Sequence, residues 1–426
     1  MPISRRDVLA GTTGALSLAS LGCAAEAGNR ISVLPRASAS DAGTGETNER
    51  FLARLLGQDK LFWSPNVQRE GYKSLDRILA TRPVRRGPAV RTYPRREIDE
   101  VTYEDQSKTE TLDDFMRLEH VAGLLGIQDG VIRLERYNMG LEPAEHWTSM
   151  SMVKSITSTL VGCALHDGLL PSLDVQVGRY VAELKNSAYA DVTLKQLLTM
   201  TSGVKWDENY KNPDADVNLY YEKVIADRRA GGILARLKTL PRIHAPGAHF
   251  YYNTADTFVI GCLLTTAIGD HLANYLSSKI WSRIGTEQDA LFLLESDDGQ
   301  EVGGSSASAT LRDYGRFGDF ILGGGIAGGK QVLPDSWINE ATRPSAPLKD
   351  PGGEGYGYQW WLSNDGSFAA LGYAGQVIRI NPAKKSVIVI LSALPAEEFR
   401  MPHEESPTRR KNFVKALDEK MSGDQA

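Results

Sequence analysis

Apolar and polar positions recur with two different periods along this chain, and the change of period marks its predicted elements. Two strand-like runs fill residues 121–137 and meet at Asp129-Gly130, a pair that favours a tight hairpin turn. From residue 151 the apolar positions take helical spacing, and residues 151–170 predict a helix that ends at a glycine. Further helical patterns, including one at 192–200, fill most of the chain to about residue 345.

The carboxyl-terminal part of the chain returns to strand-like spacing. Short β-rich runs follow residue 355, and clusters of turn residues at 364–366, 375 and 381–382 separate them. Residues 405–421 predict a closing helix. Strands at both ends with helices between them predict an α/β (α+β) fold, in which both ends of the chain build one sheet and a helical segment is inserted between them.

The first 27 residues are typical of an export signal rather than of a folded element. Arg5-Arg6 precede a short apolar stretch of small residues at 8–22, and residues 25–27 offer a small-residue cleavage site. The alternative is a core helix, but the glycines and threonines of this stretch are poor helix formers. We therefore expect a Tat-type signal and an exported, periplasmic or extracellular protein. Cys23 leaves open a lipid anchor and a membrane-anchored lipoprotein.

The remainder of the chain divides by composition. Residues 28–50 are rich in Ser, Gly, Ala and Thr and predict a linker. Residues 51–114 are polar and predict an amino-terminal extension of unassigned role. Residues 115–404 carry the regular patterns and predict the main domain, which a helix and tail at 405–426 follow.

Composition and charge exclude several classes of protein. The 426 residues are 42% hydrophobic and 24% charged, which argues against a disordered chain. A net charge of −5 without long blocks of one sign gives no electrostatic footprint for nucleic acid. Three cysteines are too few for a disulfide scaffold, and Cys163 and Cys262 in apolar runs predict buried free thiols. No interior apolar run is long enough to predict a transmembrane helix in the mature chain.

Several catalytic motifs are missing. The chain has no Gly-x-Ser-x-Gly elbow, no His-Glu-x-x-His and no Cys-x-x-Cys, so neither an α/β-hydrolase nor a metal site is predicted. The glycine-rich stretch at 323–330 contains Gly-x-Gly-x-x-Gly and a near Walker A motif. It follows a helical pattern instead of a strand, and Gln331 stands where Ser or Thr would contact Mg²⁺. A surface turn is therefore predicted there.

Ser-x-x-Lys occurs twice, at Ser151–Lys154 and at Ser202–Lys205. On a helix, positions i and i+3 share a face, so the first pair would bring an amine to a hydroxyl. A lysine buried in the small, apolar helix that follows would shift toward its neutral form and could accept a proton. The second pair lies in a helix stop and loop, where its lysine is solvated. Spacing alone leaves an N-cap serine with a surface lysine as an equal alternative for the first pair.

A third group could supply the proton that a leaving group needs. The stretch PGAHFYYNT at 246–254 places two tyrosines after a Pro-Gly turn and before an apolar helix. A tyrosine can relay protons if a neighbouring lysine lowers its pKa. Two tyrosines at such a turn are more often part of the core, so this stretch gains meaning only together with Ser151.

Taken together, these stretches resemble the serine β-lactamase-like superfamily. Within it, the chain is most similar to 6-aminohexanoate-dimer hydrolases and to class C β-lactamase-like esterases. The resemblance covers about 115–400 and thus the main domain. It is carried by TSMSMVKS (148–155), VTLKQLLTMTSGVKWDENY (192–210), PGAHFYYNTADTFVIG (246–261), LRDYGRFGDFILGGG (311–325), YGYQWWL (356–362) and LGYAGQVIRINP (371–382).

The resemblance implies a β-lactamase/transpeptidase-like fold, with an antiparallel sheet from the amino- and carboxyl-terminal segments, flanking helices and a helical insertion domain. It implies Ser151 as the acylated nucleophile, Lys154 as its activating amine and Tyr252 as the catalytic tyrosine. Thr254 stands where penicillin-recognising relatives have Asn. The oxyanion hole falls on the amides of Ser151 and Tyr373. The residues implied to bind substrate are Ser151, Gly372, Tyr373, Thr254, Trp360 and Trp361. For Trp360, Trp361 and Tyr373, ordinary packing in the sheet is an equal alternative.

We accordingly expect an exported serine hydrolase that cleaves a small linear amide or carboxylic ester through an acyl-enzyme, without a metal or organic cofactor. In this scheme Tyr252, kept close to phenolate by Lys154, takes the Ser151 proton. The Lys-Thr-Gly strand of β-lactamases falls on Ala370-Leu371-Gly372, which offers no cation to a β-lactam carboxylate. A β-lactamase or D-Ala-D-Ala carboxypeptidase using the same site is one alternative. A catalytically inactive binding member of the fold is the other.

Overall fold

The computed structural model describes residues 63–225, 227–345, 355–396, 398 and 408–423. The predicted signal at 1–27, the linker at 28–50 and Cys23 lie outside these residues, as does the start of the extension at 51–62. The strands are β1 (Thr81–Val84), β2 (Thr102–Asp105), β3 (Lys108–Thr111), β4 (Val121–Gln128), β5 (Val131–Tyr137), β6 (Trp147–Thr148), β7 (Ala290–Leu293), β8 (Ala307–Ala309), β9 (Ile326–Ala327), β10 (Lys330–Gln331), β11 (Trp361–Leu362), β12 (Phe368–Gly372), β13 (Gln376–Asn381) and β14 (Ser386–Ser392). The α-helices are α1 (Pro65–Lys73), α2 (Leu75–Ile78), α3 (Leu112–Leu118), α4 (Val153–His166), α5 (Val177–Tyr180), α6 (Leu194–Leu198), α7 (Asp216–Leu219), α8 (Gly232–Leu237), α9 (Thr254–Ile268), α10 (Leu272–Leu276), α11 (Leu311–Leu322), α12 (Trp337–Ala341) and α13 (Thr408–Gly423). Short 3₁₀ helices cover Met150–Met152, Ala182–Leu184 and Tyr373–Gly375, and π-helical turns cover Tyr220–Ile225 and Ser277–Trp281.

The main sheet has six antiparallel strands in the order β11-β12-β13-β14-β4-β5. Two of these strands come from the amino-terminal part of the domain and four from its carboxyl-terminal part. This confirms the prediction of one sheet built from both ends of the chain. Every residue of β4 and β14 is buried. Helices therefore cover both faces of the sheet at its centre. The sequences of these two strands are accordingly almost continuously apolar.

The first hairpin forms where the sequence predicts it. Asp129 and Gly130 connect β4 to β5, with φ values of 49° and 72°. Positive φ at both central positions is the conformation that a two-residue hairpin turn requires, and Asp-Gly adopts it at low cost. The turn thereby sets the register of the two strands.

One face of the sheet carries α11, which approaches closely through two glycines. A Cβ on Gly315 would lie 2.5 Å from the Leu125 side chain, and one on Gly318 would lie 2.5 Å from Val387. The opposite face carries α3 and α13, where the rings of Phe115 and Phe413 stack with their centres 3.7 Å apart. The predicted closing helix thus covers the sheet.

A mostly helical segment lies between β5 and β11. Its two longest buried helices, α4 and α9, contact each other, and α9 also contacts α6. A smaller four-stranded sheet, in the order β1-β7-β8-β6, lies beside them. Its strand β1 belongs to the segment predicted as an extension, and Thr81 pairs with Leu293. The described part of that segment is therefore hydrogen-bonded to the body of the protein.

Two smaller predictions are also confirmed. The glycine-rich stretch after α11 forms a short hairpin of β9 and β10, with Gly328 and Gly329 at positive φ. Cys163 and Cys262 are free and buried, and burial raises the pKa of both thiols. In the part of the chain that the structure describes, no helix combines the length and apolarity needed to cross a bilayer.

Candidate active site

Ser151 lies in a tightly held turn at the start of α4. Met150 has a φ of 46°, in the left-handed region that a residue with a side chain rarely adopts. Its carbonyl accepts hydrogen bonds from the Ser149 hydroxyl at 2.9 Å and from the Ser306 amide at 3.1 Å. These contacts hold the turn in place. The 3₁₀ turn then leads directly into α4, so that Ser151 and Lys154 share one face, as the spacing predicts.

Lys154 is the polar centre of the site. Its side chain is 2% exposed, and Nζ donates hydrogen bonds to Ser151 Oγ at 2.9 Å, to Thr254 Oγ1 at 3.0 Å and to the Gly304 carbonyl. Burial lowers the pKa of Lys154 to about 8, although the negative charge of Glu208 opposes this shift. A substantial fraction of this amine is therefore neutral near pH 8 and can accept a proton.

Tyr252 approaches the same serine from the start of α9. Asn253 caps this helix, because its side chain accepts hydrogen bonds from the amides of Ala255 and Asp256. Tyr252 is 7% exposed and hydrogen-bonds with Ser151, and its ring centre lies 5.2 Å from Lys154 Nζ. Three side chains from distant parts of the sequence are thus brought together.

Burial opposes the ionisation state expected for Tyr252. Burial raises the pKa of Tyr252 far above its usual value, the charge of Glu208 raises it further, and the hydrogen bond with Ser151 lowers it only in part. The predicted phenolate is therefore disfavoured. Burial thus favours the neutral phenol of Tyr252 and the neutral amine of Lys154.

Sequence reasoning missed Glu208 as part of this site. Its carboxylate accepts hydrogen bonds from the Thr254 amide at 3.0 Å, from the Tyr210 hydroxyl at 2.7 Å and from the Trp206 indole. The Thr254 hydroxyl also donates to it. The pattern WDENY gave no distinctive signal, since acidic residues are common in loops. Its spacing from the Ser-x-x-Lys motif also says nothing about distance in the fold.

The structure places Thr254 differently from the sequence prediction. It is 1% exposed and lies between Lys154 and Glu208, so it contacts the amine and not the open cleft. The cause is its position as the first residue of α9, which packs against α4. Thr254 therefore supports the lysine instead of lining a surface for substrate.

The end of strand β12 forms the opposite wall. A Cβ on Gly372 would lie 2.3 Å from the carbonyl oxygen of Ser149, so only glycine allows the strand to come this close to the serine turn. Tyr373 follows and begins a 3₁₀ turn. The predicted oxyanion segments, at Ser151 and at Tyr373, thus lie on two neighbouring elements that line one cleft.

This cleft has a volume of about 400 Å³ and extends from Ser151 along β11 and β12 to helix α13. The end of the cleft at Ser151 is surrounded by Tyr210, Tyr252, Trp361, Gly372 and Tyr373. The rings of Tyr252 and Trp361 stack with their centres 5.7 Å apart. The wall around Ser151 is therefore largely aromatic, which suits an apolar substrate segment.

Trp360 does not line this cleft, and of its two predicted roles the structure shows packing in the core. Trp360 is 1% exposed, belongs to the main hydrophobic core and packs its ring edge-on to Phe368. Successive residues of extended chain point to opposite faces, so one member of the Trp pair faces the cleft and the other faces the core.

No group of His, Cys, Asp or Glu in the described part of the chain could hold a metal ion.

The fold and the matching family model identify the class. The β-lactamase family model matches residues 111–406, and the chain belongs to the β-lactamase family. Its relatives make the particular kind clearer. The chain is 27% identical over 378 residues to the 6-aminohexanoate-dimer hydrolase of Paenarthrobacter ureafaciens, covering 84% of this chain and 94% of that one. Family and relative together make this protein a serine hydrolase.

Solved structures share the fold. A Bacillus anthracis protein with a provisional assignment as a 6-aminohexanoate-dimer hydrolase superposes with a TM-score of 0.74 at 23% identity, over 84% of this chain and 96% of that one. A penicillin-binding protein from Bacillus halodurans superposes with a TM-score of 0.57 at 17% identity, over 72% of this chain and 99% of that one. These likenesses confirm the predicted β-lactamase/transpeptidase-like architecture.

Proposed function

We propose that this serine hydrolase cleaves a linear amide or carboxylic ester through an acyl-enzyme on Ser151. One observation carries the proposal: a buried lysine with a lowered pKa contacts the serine hydroxyl at 2.9 Å. A serine hydroxyl is a weak nucleophile until an adjacent base takes its proton. Lys154 is the group in contact that can do so.

The steps follow from the ionisation states. Neutral Lys154 takes the Ser151 proton as Oγ attacks the carbonyl carbon, and the amides of Ser151 and Tyr373 receive the negative charge that forms on the carbonyl oxygen. Tyr252 gives its proton to the departing nitrogen or oxygen, and the proton on Lys154 then restores the phenol. Water attacks the acyl-enzyme and releases the acid. Each oxyanion donor contributes about 3–4 kcal/mol in sites of this kind.

The cleft also supports a substrate class. Strand β12 offers Ala369, Leu371 and Gly372 to the cleft, so the strand beside the serine carries no cation for a β-lactam carboxylate. The aromatic end of the cleft suits an apolar, flexible chain segment, whereas the far end of the cleft carries the charged side chains of Arg379, Arg410 and Lys415. A linear amide, of the class named for the Paenarthrobacter ureafaciens relative, fits this shape.

The export assignment belongs to the same proposal. The arginine pair and the small-residue stretch before residue 28 direct the chain across a membrane, and cleavage after residue 27 releases the mature protein to the periplasm or the exterior. Cys23 would replace release by a lipid anchor if it is acylated. The proposed division into a linker, an extension, a hydrolase domain at 115–404 and a carboxyl-terminal helix accompanies this assignment.

Labelling with a fluorophosphonate probe tests the nucleophile. We expect the probe to modify Ser151 and the Ser151→Ala variant to lose at least about 1,000-fold in turnover of a nitrophenyl ester while its thermal unfolding stays unchanged. An active, folded Ser151→Ala variant would remove the proposal. The matched control is Ser202→Ala, which carries the same change in the other Ser-x-x-Lys sequence and should keep its activity.

A substrate panel then separates the alternatives. Esters, linear amides and nitrocefin are compared by kcat/KM on one preparation. We expect linear amides and esters to be turned over and nitrocefin to be turned over poorly. Rapid nitrocefin hydrolysis, or stable penicillin labelling of Ser151, would instead establish a β-lactamase or peptidase.

A further inference from the structure

Helix α13 reaches the turn that begins at the proposed oxyanion donor. This turn, residues 373–375, is called the oxyanion turn below. Ala374 has a φ of 58° and Gly375 a φ of 91°. A left-handed alanine is sterically disfavoured and persists only when neighbouring groups hold it. The contacts of this turn therefore decide where the Tyr373 amide points.

Three elements each bind one carbonyl of the oxyanion turn. Gln376 Nε2 donates to the Tyr373 carbonyl at 3.1 Å, and the Leu394 amide donates to the Ala374 carbonyl at 3.1 Å. Arg410 Nη1, from α13, donates to the Gly375 carbonyl at 2.8 Å. Consecutive carbonyls of an unfavourable turn are thus all satisfied by groups outside it.

Arg410 is itself held in place. Its Nε and Nη2 donate to one carboxylate oxygen of Glu119 at 3.1 and 2.8 Å. The Glu119 side chain is 4% exposed and that of Arg410 is 15% exposed, so water screens this pair weakly. A planar guanidinium that binds a carboxylate on one side has little freedom left on the other. The pair therefore forms a rigid strut from the end of α3 to the oxyanion turn.

Gly375 completes this arrangement. A Cβ at this position would lie 2.7 Å from both terminal nitrogens of Arg410, so the guanidinium packs directly on the glycine backbone. Gln376 is less suited to a test, because it is fully buried and also binds Trp147 and Ser392, which makes it part of the core. Arg410 is the contact that can be removed with the core intact.

We infer that Arg410 is a positioning residue for acyl transfer, which fixes the Tyr373 amide toward the reacting carbonyl oxygen by binding the oxyanion turn. This inference rests on the proposed function of Ser151 and Tyr373. Without Arg410 the Gly375 carbonyl loses its partner and Ala374 can relax from its left-handed conformation. The donor would then be aligned in only part of the molecules. A misplaced donor weakens binding of the transition state while ground-state binding of substrate persists.

The experiment compares Arg410→Ala with Arg409→Ala in the full chain. Arg409 lies on the same helix and also pairs with Glu119, at 3.7 Å, yet it has no hydrogen bond to the oxyanion turn. For a nitrophenyl ester, we expect Arg410→Ala to lower kcat between about 10- and 100-fold with KM changed less than threefold. Arg409→Ala should change kcat less than threefold.

An arylboronic acid supplies a readout that general destabilisation would not produce. Its boron bonds to Ser151 Oγ, and one oxygen of the tetrahedral adduct occupies the oxyanion position. The inhibition constant should rise in Arg410→Ala by about the same factor as kcat falls, and Arg410→Lys should recover part of both. Equal effects of the two alanine variants, or a raised KM with unchanged kcat, would overturn the inference.

Two further measurements keep the outcome decisive. If Arg410→Ala does not fold, Glu119→Gln replaces it, because this change keeps the side-chain volume and removes the charge that orients Arg410. It should lower kcat and weaken the boronate in parallel, and an unchanged kcat would reject the strut. Probe labelling of Ser151 in the unmodified protein comes first. If that labelling fails, the proposed function fails, whereas labelling with an inert Arg410→Ala change rejects only the positioning role.

Discussion

The Ser-x-x-Lys sequence occurs twice in the chain, and its two copies have different environments. Ser151 and Lys154 lie on a turn and the helix that follows it, with the lysine 2% exposed and bonded to the serine. Ser202 and Lys205 lie in a loop, where Lys205 is exposed and its amide binds the Pro241 carbonyl. The same four-residue pattern thus produces a buried, hydrogen-bonded pair in one place and a loop in the other.

The difference shows that burial, and not spacing, lowers the pKa of the Lys154 amine. Lys154 lies on the first turn of α4 and faces α9, where desolvation favours the neutral form. The loop lysine, Lys205, is exposed to water. Its serine serves the fold instead, since the Ser202 hydroxyl accepts from the Val204 amide and hydrogen-bonds with Asp256. The Ser-x-x-Lys spacing therefore gives a neutral amine only where the lysine is also buried.

Replacing each of the two lysines by methionine gives the largest expected contrast in activity. Lys154→Met keeps the side-chain volume and removes the base, so turnover of a nitrophenyl ester should fall by about 10²- to 10⁴-fold. Lys205→Met should leave it within twofold. Steady-state kinetics, with circular dichroism to check folding, measure both. A Lys154→Met variant that keeps its rate would assign the base elsewhere.

The neighbouring tyrosines give a second contrast of the same kind. Tyr252 is buried in the cleft, whereas Tyr251 is 42% exposed. We expect Tyr252→Phe to slow amide hydrolysis by about 100-fold, because an amine leaving group needs a proton. A nitrophenyl ester, whose leaving group departs without one, should be affected less. Comparable losses on both substrates would argue against Tyr252 as the proton donor, and Tyr251→Phe is the control.

The pH dependence sharpens the role assigned to burial. The lowered pKa of Lys154, about 8, means that the neutral amine is lost as the pH falls below this value. The acylation rate should therefore rise with pH, with a midpoint near 8. Glu208 raises this pKa by its charge, so Glu208→Gln should move the midpoint to lower pH. The neighbouring Asp207→Asn should leave the midpoint unchanged. If Glu208→Gln also leaves the midpoint unchanged, Lys154 is excluded as the titrating base.

The smallest expected effect belongs to the loop serine. Ser202 is 3% exposed, and Ser202→Ala removes its hydrogen bonds while leaving the cleft lining unchanged. The free energy of unfolding should fall by about 1 kcal/mol with kcat within twofold. Urea denaturation and ester kinetics on the same sample measure the two quantities. A large loss of activity without loss of stability would give this serine a part in the chemistry.

Sequence reasoning succeeded where the information is local. The Asp-Gly hairpin after β4, the helix behind Ser151 and the closing helix all follow from residue pattern and turn chemistry. It left open which tryptophan of the pair 360–361 faces the cleft, because the side of the sheet depends on where the extended chain begins to pair. It did not anticipate the burial that raises the pKa of Tyr252, and it overlooked Glu208, since burial and contacts between distant residues are decided only in the fold.

The sequence by itself determined the order of the elements, the family resemblance and the residue types that the reaction needs, because short-range periodicity and motif spacing are properties of the chain alone. Tertiary structure alone decided which of two identical motifs has a buried amine, which tryptophan meets the cleft and which arginine of α13 reaches the oxyanion turn. The physical reason is that desolvation and hydrogen-bond geometry depend on neighbours in space. Those neighbours come together only when sheet and helices pack.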